Sequence, residues 1–173
     1  MDAVDQYVSQ WKSVKPELDV SPMAVMGRLH RCAALVDVRL DQVFREHGMQ
    51  AWEFDVLASL RRAGEPFELT PGALDRMTMM TSGTTTHRLK RLEDKGLVTR
   101  TPDPADRRVV RVRLTAAGRE LFDAVHPAHL DNERGILDRL APEDRAALLQ
   151  GLTALAAALG DAAVPVPTPE EHA

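Results

Sequence analysis

The stretch from Leu69 to Gly118 limits the possible folds of this chain more than any other segment. Thr70 is a favourable N-cap residue and Pro71 suits the first helical position, so a short helix is predicted to begin there. A break at residues 81–83, with the sequence Thr-Ser-Gly, separates it from a second amphipathic segment, which Gly96 is predicted to end. Two helices joined by a tight turn are therefore expected at the centre of the chain.

The second of these helices is followed by a predicted β-hairpin. Leu89 and Leu92 share the inward face of the helix, whereas polar side chains lie off that face. Two β-rich runs, Leu97 to Thr101 and Val109 to Leu114, flank a loop with two prolines and two adjacent arginines. Helix, turn, helix and basic hairpin form a winged helix-turn-helix, which places one helix in a DNA major groove with a wing alongside. The expected fold is mainly α with a small β wing.

Charge is distributed unevenly along the sequence. From Thr81 to Arg113 nine Lys and Arg face four Asp and Glu, a charge of +5, whereas the whole chain carries −4 and the remainder therefore −9. A basic segment on an acidic body is the footprint of a phosphate-binding face, although a solvated helix followed by an ordinary hairpin would also be charged. The residues predicted to contact double-stranded DNA are Ser82, Thr84, Thr86, His87, Lys90, Arg91, Arg107 and Arg108.

Amphipathic helices flank this unit on both sides. They are predicted at Val4–Lys15, Pro22 to about His47, Ala51–Arg62, Thr115 to about Arg139, and from Pro142 onward. Residues 52–114 are expected to form a DNA-binding lobe, residues 4–47 and 115–160 a helical dimerisation lobe, and residues 162–173 a loose tail, all within one subunit of 173 residues. The apolar seams of the outer helices would close in a homodimer, or else within one chain. Their members include Leu29, Ala33, Val36, Leu40, Val43, Leu148, Leu152, Leu155 and Leu159.

Several classes of protein are not expected. The sequence has no apolar run long enough for a membrane span and its acidic start does not resemble a signal peptide, so a cytoplasmic protein is the simplest expectation. No nucleophile–base pair, Gly-rich phosphate loop or Cys/His metal spacing is visible. We therefore expect no catalytic residues, no metal and no cofactor.

Four residues suggest a second site, for a small molecule. Arg88 lies on or beside the inward stripe of the second helix, where an arginine needs an anion, and Asp55 lies within the apolar run Trp52 to Leu60. Arg100 follows on the first wing strand, and Trp11 offers a flat ring with an N–H donor. The four would form a pocket for a planar anion, or Arg88 and Asp55 would form a structural salt bridge with Trp11 as core filling.

The central segment resembles the DNA-binding lobe of the MarR family of bacterial transcription regulators. The matching residues are the helix-turn-helix from Leu74 to Gly96, the wing tip Asp106-Arg107-Arg108 and the Leu114-Thr115-x-x-Gly118 exit. The flanking helices also fit, so the resemblance covers nearly the whole chain. It implies a homodimer, interlocked through its terminal helices, whose affinity for an operator falls when a small molecule binds.

The ligand constellation also resembles one branch of that family, whose members respond to urate. That branch has an additional N-terminal helix with a Trp, an Asp on the helix before the winged unit, an Arg in the recognition helix and an Arg at the start of the wing. Trp11, Asp55, Arg88 and Arg100 match these by context. The resemblance thus implies a pocket for urate or a related purine anion, with other anions left open.

Alternatives remain for the regulatory chemistry. Some members of the family sense oxidants through a thiol, but Cys32 has no fixed basic neighbour and is expected to be a buried, inert thiol. A further alternative is an architectural winged-helix protein that binds no ligand. Removal of the helix that carries Trp11 would leave the regulation by such a protein unchanged.

Overall fold

The computed structural model describes residues 1–78 and 85–163. Seven helices and three strands occur there in the order α1 (Ala3–Val14), α2 (Ser21–Glu46), α3 (Ala51–Arg62), β1 (Glu68–Leu69), α4 (Pro71–Met77), α5 (Thr85–Asp94), β2 (Val98–Pro102), β3 (Val110–Leu114), α6 (Ala116–Leu137) and α7 (Pro142–Ala158). The chain divides into two compact units, residues 1–42 and the residues from 43 onward. The predicted break at residues 81–83 and residues 164–173 of the predicted tail lie outside the described residues.

The helix boundaries follow from local capping. The Thr70 hydroxyl accepts the backbone N–H of Ala73 at 3.2 Å, with Pro71 in the first turn of α4. The Thr115 hydroxyl likewise accepts the N–H of Gly118 at 3.0 Å at the start of α6. Gly96, two residues after the end of α5, adopts a φ of 70°, a conformation that glycine reaches without strain. The mainly helical fold with a small wing, expected from the sequence, is confirmed.

The sheet contains one strand that the sequence did not predict. β2 and β3 form the expected antiparallel hairpin, in which Val98 pairs with Leu114. The two-residue strand β1 pairs with the other edge of β3, giving the order β1-β3-β2. Two residues are too few to show a strand period, so only pairing with β3 reveals β1.

The core of the second unit fills the space between the wing and helices α3 to α6. Its fully buried side chains include Leu57, Leu60, Leu69, Leu74, Leu89, Leu92, Val98, Val112 and Val125. Beside it, Phe54 of α3 packs against Phe44, Phe122 and His129 with ring centroids 4.8 to 5.3 Å apart. Burial lowers the pKa of His129, although nearby Glu133 partly offsets this effect. These contacts fix α3 in the interior, from where it supports α5.

In the first unit, α1 lies against the first half of α2. Arg28 of α2 bonds to Asp5 at 2.6 Å and to Asp2 at 2.9 Å, and the buried Val4 packs beside Gly27. The prediction that Cys32 is buried is wrong, because this thiol is exposed on α2. A single helix seam predicts only which residues share a face, not whether a neighbour covers that face.

Helix α7 buries none of its own residues against the described chain. Leu148, Leu152 and the C-cap residue Leu159 are 46%, 44% and 77% exposed, although they share one face. On α2, Val25, Leu35 and Val38 are also more than half exposed. Within the described residues, no helix combines the length and apolar character needed to cross a membrane.

Candidate DNA interface and adjoining cleft

The outward face of α5 carries polar side chains. Thr86, His87 and Lys90 are exposed because the buried Leu89 and Leu92 turn the opposite face toward the core. Lys90 bonds to Asp94 at 3.1 Å, but both side chains are over 60% exposed, so a phosphate can compete for this lysine. Two other predicted DNA contacts, Ser82 and Thr84, lie outside the described residues.

Arg91 is less exposed than the sequence pattern indicated. It is half-buried, and its guanidinium lies 5.2 Å from the centre of the Trp52 ring. Arg88, one turn earlier, lies 5.5 Å from the same ring. Both arginines therefore stack on one indole, an arrangement favoured by the negative face of the aromatic ring.

The tip of the wing is held by aspartates. Asp103 is 4% exposed, and its carboxylate accepts the backbone N–H of Ala105 at 2.7 Å and that of Asp106 at 3.2 Å, besides pairing with Arg111. The Ala105 N–H contributes most, followed by the Arg111 side chain, to holding the pKa of Asp103 below its ordinary value of 3.8. This network fixes the loop between β2 and β3.

Arg108 projects from that fixed loop. Asp106 accepts the Arg108 backbone N–H at 3.0 Å and its Nε at 3.2 Å, yet the Arg108 side chain remains 92% exposed. The same backbone bond, followed by the side-chain bond, lowers the pKa of Asp106. Arg107 beside it is also exposed. The wing thus presents two adjacent guanidinium groups to solvent.

Other basic residues of the segment are already neutralised at the base of the wing. Glu68 of β1 bonds to Arg113 at 2.8 Å and lies 3.8 Å from Arg111. Arg100 of β2 is bound by Glu93 of α5, with Nε 2.9 Å from the carboxylate. The charge of +5 for residues 81–113 already includes Glu93, but Glu68 lies outside that segment, so the sum overstates the positive charge at the base of the wing.

A cleft that is open to solvent lies between α3, α4 and α5. Asp55 and Arg88 both line it, together with Trp52, Asp75 and Thr85. The other two predicted ligand residues are not part of its lining. Arg100 lies on β2 with Glu93, and Trp11 lies on α1 in the first unit, where it is 46% exposed. The cleft thus combines an aromatic ring, a guanidinium and a carboxylate.

Two functional candidates on α3, Trp52 and Glu53, were missed by sequence reasoning. Glu53 is fully buried, and its Oε1 lies 2.7 Å from Nζ of Lys95, directly after α5. Both residues fall in the apolar run that predicts a buried helix, which concealed them. The sequence does contain one signal for Glu53. It lies three residues after Gln50, which is the spacing of a capping box, and the two residues form such a box at the start of α3.

No group of three His, Cys, Asp or Glu side chains that could hold a metal occurs in residues 1–78 and 85–163.

Comparisons with known proteins agree with this geometry. Residues 47–109 match the model of the MarR family. The chain is 42% identical over 142 residues to the HTH-type transcriptional regulator PecS of Dickeya dadantii, covering 82% of this chain and 86% of PecS. These relatives are transcriptional regulators and not enzymes.

Solved structures give the same result. Sco3205, a MarR family regulator from Streptomyces coelicolor in complex with DNA, superposes with a TM-score of 0.73 at 26% identity, covering 87% of this chain and 95% of Sco3205. Bordetella bronchiseptica BpsR, whose DNA binding is regulated by 6-hydroxynicotinic acid, has a TM-score of 0.65 at 27% identity, covering 75% and 91%. The chain, with its winged helix and its sequence identity to PecS, belongs to the MarR family of DNA-binding transcriptional regulators.

Proposed function

We propose that this protein is a homodimeric repressor that a small planar anion, such as urate or a related purine, releases from its operator. The observation that carries the proposal is the position of Arg88. This residue lines the cleft, whereas His87 and Lys90 on the same helix face solvent. One rigid helix therefore carries both a candidate ligand contact and candidate DNA contacts.

For DNA binding, α5 would enter a major groove and the wing would lie along the adjacent minor groove. His87 and Lys90 are exposed on α5, and Arg108 is 92% exposed at the wing tip. The proposed DNA contacts are Ser82, Thr84, Thr86, His87, Lys90, Arg91, Arg107 and Arg108. Such a regulator acts where the chromosome is, so we place it in the cytoplasm.

For the ligand, Arg88 would bind the anion and Trp52 would offer a ring for stacking. Asp55, in the same cleft, would repel a negative charge or accept an N–H of the ligand. Trp11 and Arg100 stay proposed as further contacts, on the resemblance to the urate-responsive branch. The 6-hydroxynicotinic acid that regulates DNA binding by BpsR is a planar aromatic acid, which supports a planar effector class.

The release of DNA follows from competition for Arg88. An anion that takes this guanidinium from the Trp52 ring would shift α5, and the two recognition helices of a dimer would lose their spacing. The ligand can do this only through the difference between its affinities for the two states. The exposed leucine face of α7 supports the dimer.

The test begins with selection of an operator from a random duplex library, followed by titration of urate and other purines against the protein–operator complex. We expect urate to raise the dissociation constant of the wild type, and Arg88→Ala and Trp11→Phe to blunt that increase. Arg91→Ala is the matched control, because Arg91 stacks on the same ring but does not line the cleft. It should bind the operator less tightly yet keep the response to urate.

Fluorescence separates the two tryptophans of the chain. In the Trp52→Phe variant only Trp11 emits, and in Trp11→Phe only Trp52 emits. Quenching of both by urate supports a ligand that reaches both rings. If purines neither quench either ring nor change operator affinity, the purine assignment fails. If Arg88→Ala then responds like the wild type to whichever small carboxylate is active, the cleft is not the effector site.

A further inference from the structure

We infer that the first turn of α3 positions α5 for reading DNA bases, through Trp52 and the ion pair of the buried Glu53 with the partly exposed Lys95. This inference rests on the proposed role of α5 as the DNA-reading helix. No contact of either α3 residue with DNA is needed, so both are positioning residues.

The pair of Glu53 and Lys95 fixes the end of α5. Glu53 is fully buried, and Lys95 Nζ lies 2.7 Å from Oε1 and 2.9 Å from Oε2. The same carboxylate accepts the backbone N–H of Gln50 at 2.9 Å. This bond within the start of α3 holds the carboxylate in position independently of Lys95. A charge buried this completely requires its partner, which ties residue 95 to one place.

The ring of Trp52 fixes the middle of α5. Its indole N–H donates to the side-chain oxygen of Gln50, which holds the ring in one orientation. Arg88 and Arg91 stack on this ring at 5.5 and 5.2 Å, and their spacing of three residues places them on one side of the helix. The arginines therefore act as two further ties between α5 and α3.

Together the ties span the helix from Arg88 to Lys95, a rise of roughly 10 Å at about 1.5 Å per residue. They prevent rotation of α5 about its axis, and so fix the direction in which His87 and Lys90 point. Rotation matters little for attraction to phosphates, but hydrogen bonds to base edges depend on direction. Loss of the ties should therefore reduce discrimination between sequences more than general affinity for DNA.

The main test measures dissociation constants for the selected operator and for a shuffled duplex, each at several salt concentrations. The double variant Glu53→Gln/Lys95→Met removes both charges and avoids leaving one of them buried alone. We expect its operator affinity to fall about tenfold, the order of one lost base contact, with shuffled-duplex affinity and salt slope unchanged. Lys95→Arg, which keeps the ion pair, should retain most of the wild-type discrimination.

A second pair of variants tests the ring. Trp52→Leu removes the aromatic face and Trp52→Phe keeps one, so Phe should restore discrimination that Leu loses. Circular dichroism and melting temperature show whether each variant is folded. Should the leucine variant not fold, the double variant of Glu53 and Lys95 still decides the matter.

Other outcomes would overturn the inference. If operator and shuffled affinities of the double variant fall together and the salt slope drops by about one, Lys95 is only a phosphate contact. Unchanged discrimination in the folded double variant would also refute it. Failure of the underlying role of α5 looks different: His87→Ala and Lys90→Ala would then leave operator binding intact. If those two variants weaken binding and the double variant does not, only the positioning role is lost.

Discussion

At the scale of single residues, Gly118 joins the wing to α6. It is buried in the first turn of the helix, and a Cβ there would lie 2.1 Å from the backbone oxygen of Leu97 and 2.9 Å from Leu114. A backbone oxygen cannot move aside as the end of a flexible side chain can. Only glycine therefore allows α6 to begin this close to the wing.

We predict that Gly118→Ala lowers the free energy of unfolding by about 1–3 kcal/mol, because overpacking of this kind displaces the backbone. Gly135→Ala is the control on the same helix, where a Cβ would meet nothing within 4 Å. That variant should be unchanged or slightly more stable, because alanine favours a helix more than glycine does. Urea denaturation measures both, and equal stability of the two variants would contradict the packing argument.

Arg108 is the residue for which the sequence and the structure agree most directly. Its motif marked the wing tip, and its side chain is 92% exposed there. We predict that Arg108→Ala weakens binding to operator and shuffled duplexes alike and reduces the salt slope by about one per lost phosphate contact. Arg134→Ala, an exposed arginine of α6 paired with Asp131, is the charge-matched control. An unchanged slope for Arg108→Ala would exclude the wing from the interface.

At the scale of elements, the wing depends on the charge of Asp103. Its folded pKa lies below 3.8, so the stabilisation is present above the unfolded pKa and is lost as pH falls through the folded pKa. We predict that Asp103→Asn is less stable than the wild type from about pH 7 to about pH 5, and that the gap narrows as the wild-type carboxylate becomes protonated. Urea unfolding from about pH 7 down to about pH 3, below the ordinary pKa of an aspartate, measures the gap. Asp131→Asn on exposed α6 should show little difference, and a gap for Asp103→Asn that does not change with pH would exclude its charge as the cause.

The ends of the elements were predictable because they depend on local chemistry. Thr70, Gly96 and Thr115 act within a few residues of themselves, and each marks a boundary in the structure. The apolar period also identified Leu89 and Leu92 as buried. These features need no knowledge of distant parts of the chain.

The partners of charged side chains were not predictable, because they depend on tertiary contacts. Arg91 and Arg88 share the ring of Trp52, and Arg100 bonds to Glu93 rather than lining the cleft. The sequence predicted that Asp55 and Arg88 lie near each other, and both line one cleft. Their role toward a ligand stays a prediction. Spacing along a helix gives the side on which an arginine lies, whereas the neighbouring helix determines its partner.

At the scale of the whole molecule, apolar side chains remain uncovered on α2 and α7. Such faces are unusual on a protein that stays monomeric, and they support the proposed homodimer. We predict that Leu152→Glu, at a position 44% exposed in the single chain, shifts the protein from dimer to monomer while the winged unit stays folded. Sedimentation velocity gives the mass and circular dichroism the helix content.

Gln150→Glu, an exposed change of the same charge on the same helix, is the control for this experiment. It should remain a dimer. A Leu152→Glu protein with the dimer mass of the wild type would remove α7 from the interface.

The arrangement of α5 also bears on how such a regulator diverges after gene duplication. Nearby positions of α5 lie on different faces: His87 and Lys90 face solvent, while Arg88 lines the cleft. On the proposed function, substitutions on the outer face would change the operator without altering the chemistry of the cleft, and substitutions in the cleft would change the effector without altering the outer face. Trp52 lies against both Arg88 and Arg91, so changes at this one position would alter both specificities together. Two duplicated copies can thus acquire separate targets and separate signals in either order, provided that the indole is kept.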